Sequence, residues 1–290
     1  MPKLRTFLNM IRFEHTIFAL PFAYLGMLLA WDNWQNANWW DFIWITVAMA
    51  AARTAAMAIN RYVDRTIDAG NPRTSGRPIQ AGAIGAGTVL ISAIISLCIL
   101  AFAAWMLDPL SLLLFPFALL FLVGYSYTKR FTWMCHYILG FTDGLAPMGA
   151  WVAVRGSIFT VDDMPAWFLM AAVTFWISGF DIIYACQDVT FDKEAGLYSI
   201  PVRFGTKRAL RVAAASHVAT MMLMISVGLI VGLIWPYWLG LILMALLFIY
   251  EHSLINPDDL SKLSIAFFNV NGYISVVVFV ATFSAILLGS

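Results

Sequence analysis

The stretch "NRYVDRTIDAGNPRT", residues 60–74, begins where a long apolar run ends. It sets an amide and two carboxylates at Asn60, Asp64 and Asp68, with arginines between them. Charge this dense is out of character for a 290-residue chain that is 62% hydrophobic and 11% charged, with a mean hydropathy of +0.83. Near-uncharged stretches of about 20 residues recur along it, the length a helix needs to cross a hydrocarbon layer. The short alternating segments of a β-barrel are absent. The composition predicts an all-α polytopic membrane protein, one domain over residues 1–290, and argues against a soluble core.

Nine spans are expected, at about 16–31, 42–60, 89–107, 110–127, 136–154, 166–187, 210–233, 237–250 and 267–288. The first lacks a small-residue cleavage site and is expected to be retained. Of 17 Lys and Arg, only Arg155 falls in a connection on the even side, whereas Lys3, Arg5, Arg12, Arg61, Arg65, Arg73, Arg77, Lys129, Arg130, the run from Lys193 to Arg211 and Lys262 share the other. Cations favour the cytoplasmic face, so the N-terminus and the loops at 61–88, 128–135, 188–209 and 251–266 are expected inside, and the C-terminus outside. Tryptophans such as Trp31, Trp39, Trp40, Trp105, Trp151, Trp167 and Trp235 mark the opposite interface. Cys98, Cys135 and Cys186 have no metal or redox spacing and are expected to pack, not to pair. His15, His136, His217 and His252 have no partners at helical spacing and are expected at interfaces.

On a helix, residues four apart share a face, so Asn60, Asp64 and Asp68 form one stripe. A second cluster, "DIIYACQDVTFD", places Asp181, Asp188 and Asp192 at offsets of 7 and 11, again one face. Both clusters end apolar spans on the same side of the membrane. Two groups of acceptor-only oxygens that face each other repel unless a cation lies between them. An oxygen-only set with one amide and no His or Cys suits Mg²⁺, which keeps waters and is commonly completed by substrate phosphates. A solvated acidic loop would explain one such cluster; two, each phased and each adjoining a span, favour a site.

Arg53 lies on the face of Asn60 but about 10 Å deeper in the span, at 1.5 Å per residue. A cation there costs about 2.5–3.5 kcal/mol on insertion scales, which marks it as a functional candidate, snorkelling being the plain alternative. Lys129 and Arg12 add cations at the same face, where they suit a phosphate-bearing substrate. Asp143, inside the fifth span among small residues, either faces a cavity or bonds a neighbouring helix.

"NRYVDRTID" and "DIIYACQDVTFD" resemble the two aspartate-rich motifs of the UbiA superfamily of intramembrane prenyltransferases. "YSYTKR" resembles its Tyr-x-x-x-Lys element at Tyr125 and Lys129, and the likeness spans essentially the whole chain. The resemblance implies Mg²⁺ held by Asn60, Asp64, Asp68, Asp181, Asp188 and Asp192, or by waters on them. It implies a polyprenyl diphosphate held by Arg12, Arg53, Tyr125 and Lys129, with Asp64, Asp188, Arg53 and Lys129 carrying catalysis. It also implies ionisation to an allylic cation, attack by an electron-rich aromatic acid, and loss of the ring proton. A central chamber open to the lipid would keep the tail in the bilayer, and excluding water would keep the cation from becoming an alcohol.

Within the family, "FEHTIFALPFAYLGMLLA", "NRYVDRTIDAGNPRT" and "DVTFDKEAGLYSIPVRFG" look most like the bacterial quinone branch. The acceptor is then 4-hydroxybenzoate or a dihydroxynaphthoate (1,4-dihydroxy-6-naphthoate), and the location the bacterial inner membrane. Membrane lipid is an expected partner and nucleic acid is not. Transfer to a porphyrin or a lipid alcohol is the alternative within the family. A transporter of divalent cations or organic anions is the rival outside it, but transporter coupling sites lie near the bilayer midplane, not at one face.

Overall fold

The computed structural model describes residues 2–11, 16–31, 35, 37–263 and 265–289, with backbone alone at 2–4, 16–19, 267 and 268. Its helices are α1 (Pro2–Met10), α2 (Thr16–Ala30), α3 (Trp39–Val63), α4 (Arg65–Gly70), α5 (Ala86–Leu107), α6 (Pro109–Thr128) and α7 (Cys135–Arg155). They continue with α8 (Met164–Ala185), α9 (Val189–Glu194), α10 (Ile200–Phe204), α11 (Thr206–Val231), α12 (Trp235–Leu254) and α13 (Asn271–Gly289). Among the described residues the only β feature is one isolated bridge, Asn256 to Asp259.

Seven helical stretches among the described residues are long and apolar enough to cross a membrane. Two other expected spans fall on α2, which has 15 residues, and on α7, which carries Asp143, His136 and three glycines in 21 residues. Local signals set the ends. Asn38 caps α3 by accepting from the Trp40 amide at 3.0 Å, and Asp108 caps α6 by accepting from the Leu110 amide at 2.8 Å. Gly156, at φ 61°, closes α7 in the left-handed region. The helix expected to stop at residue 250 runs on to Leu254, so Glu251 and His252 are helical and not part of a loop.

α7 is the centre of the bundle, packed between α2 and α8, with α11 behind α8. A Cβ on Gly26 would run into the Pro147 backbone, and one on Gly140 into the Thr174 carbonyl, so these three helices touch backbone to backbone. α3 packs on α5, and α12 on α13. The main core, with Leu169, Met244 and Ile274 among its members, lies within α2, α7, α8, α11, α12 and α13.

The two aspartate clusters depart from continuous helices. α3 stops at Val63; Asp64 is its C-cap (φ −86°, ψ 3°), and α4 starts afresh. Asp64 still donates its amide to Asn60 and Asp68 to Asp64, at 2.9 and 2.8 Å, so the stripe survives the break. In the second cluster a tight 3₁₀ turn, Cys186–Asp188, separates α8 from α9. Both breaks turn carboxylates inward at the end of a span.

Candidate active site

The C-terminal ends of α3, α6 and α8 open onto one chamber of about 1100 Å³. Arg53, Asn60, Asp64, Asp68, Tyr125, Lys129, Asp143, Asp181, Asp188 and Asp192 all line it. Arg12 lies outside the described residues.

The carboxylates are neutralised by cations of the chain itself. Asp64 receives Lys129 Nζ at 2.7 Å on Oδ2 and Arg130 Nη2 at 2.9 Å on Oδ1, while Asn60 Nδ2 donates to Oδ2 at 3.1 Å. Asp68 pairs with Arg77. Asp188 is gripped by Arg73, with Nε on Oδ1 at 2.9 Å and Nη2 on Oδ2 at 2.6 Å, and Asn71 Nδ2 adds a bond at 3.1 Å. Residues just after the first motif therefore clamp the second, which ties the motifs together across 117 positions of sequence. Burial disfavours the Arg73 charge, but its bonds to Asp188 and the nearby Tyr184 and Asp68 outweigh that and raise its pKa above the ordinary arginine value.

Asp192 lines the same chamber, and none of the described side chains bonds it. Among the described residues no three His, Cys, Asp or Glu side chains converge closely enough to cage an ion. The donor chemistry nonetheless fits Mg²⁺: carboxylate and amide oxygens only, contributed by both motifs to one cavity with room for waters and a phosphate-bearing ligand.

Deeper in, Arg53 faces Asp143 at 3.8 Å, which places Asp143 on the chamber wall as the partner of the intramembrane cation. A second, apolar cavity of about 430 Å³ shares Met49, Arg53, Ala56, Thr142, Asp143 and Ala146 with the chamber, and runs between α3, α5, α6 and α7 to Phe159 and Trp167. Tyr125 differs from expectation in detail: its hydroxyl donates to the Ala56 carbonyl at 3.0 Å, anchoring α6 to α3.

His15 lies outside the described residues, and His136 and His217 depart from the interfacial reading. His136 is buried on the chamber wall, its Nδ1 2.7 Å from Asp181 Oδ2 and its Nε2 accepting from the Ile200 amide at 3.3 Å. His217 is buried too, and meets His252 at 3.0 Å across two helices. Arg73, Arg130, Asn71 and His136 carry no motif spacing of their own; the one hint of them is their position beside the motifs. The three cysteines are free; Cys186 is buried, Cys135 half-buried and Cys98 exposed, so the packing expectation fails at Cys98.

Comparison with known proteins identifies the family. The model of the UbiA prenyltransferase family matches residues 19–273. A 4-hydroxybenzoate octaprenyltransferase of Aeromonas salmonicida is 30% identical over 256 residues, 86% of each chain. The apo structure of a UbiA homolog from Aeropyrum pernix superposes with a TM-score of 0.85 at 32% identity, covering 93% of this chain and 98% of that one. A UbiA homolog from Archaeoglobus fulgidus bound to DMAPP and Mg²⁺ has the same fold, with a TM-score of 0.70 at 21% identity over 97% and 99% of the two chains. The chain belongs to the UbiA prenyltransferase family and is a membrane-embedded prenyltransferase.

Proposed function

We propose that this enzyme transfers a polyprenyl group from an allylic diphosphate to a ring carbon of an aromatic acid, 4-hydroxybenzoate or 1,4-dihydroxy-6-naphthoate, in quinone biosynthesis. The observation that carries the reading is the single chamber in which two oxygen-rich motifs and five cations meet beside an apolar cavity. The naming of the bacterial relative and the ligands of the archaeal neighbour point the same way.

In this reading Asn60, Asp64, Asp68, Asp188 and Asp192 hold Mg²⁺ directly or through water, with Asp181, steadied by His136, at the edge of the set. The metal supplies charge neutralisation for the diphosphate when bound. Lys129, Arg53 and the cations now on the carboxylates bind phosphate oxygens and stabilise negative charge as the allylic C–O bond breaks and its electron pair leaves with diphosphate. The apolar cavity takes the isoprenoid tail, and Arg53, at the junction of the two cavities, marks where head and tail part. Acceptor carbon adds to the cation and the ring then loses a proton. Arg77 and Arg53 also suit the acceptor carboxylate, because a guanidinium fork matches it in two points.

The expected topology is nine spans with both motifs on the cytoplasmic side of a bacterial inner membrane and a lateral opening to the lipid. Single cysteines at positions 70 and 195 in sealed vesicles test the orientation; labelling from the outer side alone would reverse it. The central experiment offers purified protein, Mg²⁺ and an allylic diphosphate both acids at equal concentration, with products identified by mass spectrometry. Prenylation of one acid next to a hydroxyl is expected. Transfer instead to a porphyrin or a lipid alcohol would remove the quinone assignment.

A further inference from the structure

The chamber wall carries a polar network that the reaction above does not use. Trp176, on α8, lines the chamber, and its indole Nε1 donates to Asn271 Oδ1 at 2.8 Å. Asn271 Nδ2 passes the chain on, donating to Glu251 Oε1 at 2.9 Å and to the Ala266 carbonyl at 3.1 Å. The other carboxyl oxygen, Glu251 Oε2, lies 3.7 Å from His217 Nδ1, and His217 in turn meets His252. Four helices thus send polar groups into one knot inside an apolar core.

Such a knot is a poor way to stabilise a bundle. Glu251 is 0% exposed, and its Oε2 has no hydrogen-bond partner among the described residues. A buried carboxyl left half-bonded opposes folding, and well-packed apolar side chains would serve packing better. What the knot does accomplish is to fix one indole against the chamber. Trp176 also sits 4.5 Å from Phe22 and 5.4 Å from Phe180, ring centre to ring centre, and both line the same cavity. An indole has the strongest π-face of the aromatic side chains for attracting a cation, and the attraction grows where water is excluded.

We propose that Trp176 is a catalytic residue whose indole face stabilises the allylic cation, and that Asn271 and Glu251 are positioning residues that fix the plane of that indole. The inference rests on the reading that an allylic diphosphate ionises in this chamber. The indole exchanges no electrons or protons in the step. The C–O bond breaks with its pair going to diphosphate, and the cation is then taken by acceptor carbon, with loss of the ring proton, or by water, giving a prenyl alcohol and a proton. A well-held π-face favours the first fate.

The test uses the full-length protein with Mg²⁺, an allylic diphosphate and 4-hydroxybenzoate, and reads kcat, donor KM and the ratio of prenyl alcohol to prenylated acid. Tryptophan analogues carrying one to three ring fluorines at position 176 weaken the π-face while keeping its shape and N–H. Across that series kcat is expected to fall by about tenfold and the alcohol share to rise stepwise, at constant donor KM. A flat series overturns the cation role. Asn271→Ala is expected to raise the alcohol share as well, and Asn271→Gln, which keeps both an oxygen for the indole and an NH2 for Glu251, to recover part of the loss. A folded Asn271→Ala protein with the normal product ratio overturns the positioning role; if that variant does not fold, the fluorine series alone decides. Wild-type protein that releases neither product refutes the ionisation reading itself, whereas normal wild-type turnover with a flat series refutes only Trp176.

Discussion

Asp64 and Asp163 are both almost fully buried, and they are held in opposite ways. Asp163, just before α8, is satisfied by neutral donors from its own neighbourhood in sequence. Trp151 Nε1 donates at 2.8 Å, Ser157 at 2.6 Å, and the Thr160 amide and hydroxyl at 2.8 Å each. Asp64 is held instead by Lys129 and Arg130, long side chains that are about a third exposed and follow the C-terminal end of α6. A local cage of neutral donors fixes the turn that leads into α8. Lys129, on the chamber wall, can be redirected to a phosphate by swinging, whereas Arg130 is also held by the Ser126 and Val63 carbonyls. Burial alone does not distinguish the two aspartates; the charge of their partners does.

The comparison can be broken at several points. The largest effect is expected from Asp64→Ala and Asp188→Ala. Each should lower turnover by at least about a thousandfold while the protein still elutes as a folded species, since each removes an anchor for metal and phosphate. Near-normal turnover in either would erase the distinction drawn from their partners. Removing divalent ions with a chelator should match that loss in wild-type protein, with recovery on adding Mg²⁺. Arg53→Ala comes next, with kcat lower by about a hundredfold, and Arg53→Lys should recover only part, because an ammonium lacks the guanidinium fork. An active, better-expressed Arg53→Leu would demote Arg53 to a tolerated cation.

Asp163→Ala should do the reverse of Asp64→Ala. It should lower the midpoint of thermal unfolding in detergent, while kcat of the surviving protein stays within about twofold, because four donors lose their acceptor far from the chamber. The smallest effect belongs to Tyr125→Phe. Its hydroxyl is already used on the Ala56 carbonyl, so losing one neutral hydrogen bond should change turnover by about two- to fivefold. A loss as large as that of Arg53→Ala would mean that the hydroxyl leaves Ala56 to bind substrate.

Much of this site was legible in the sequence because its makers lie at fixed spacings. Asn60, Asp64 and Asp68 repeat every fourth residue, and all of them line the chamber. Arg53 was legible because a cation inside an apolar run has so few ordinary explanations. The breaks at Asp64 and at Cys186–Asp188 were not, since the i→i+4 amide bonds persist through Asp64 and no Pro or Gly announces either change of direction. Arg73 on Asp188 and His136 on Asp181 were hidden for another reason. These pairs join residues 115 and 45 positions apart, and only the close passage of α7 against α8 brings the second into contact. The Trp176–Asn271–Glu251 chain was invisible on the same ground, spread over three helices with no spacing to betray it.

The broken ends of α3 and α8 have one further consequence, which concerns the backbone itself. Both helices point their C-termini into the chamber, as does α6, and a helix C-terminus carries the equivalent of about half a negative charge from its aligned peptide dipoles. Those three ends contribute negative potential, the N-termini of α7 and α10, whose Cys135, His136 and Ser199 also line the chamber, oppose it, and the balance rests with the side chains. Arg53, Arg73, Arg77, Lys129 and Arg130 each answer an aspartate, so removing any one of them tips the local potential toward negative and would work against an anionic ligand.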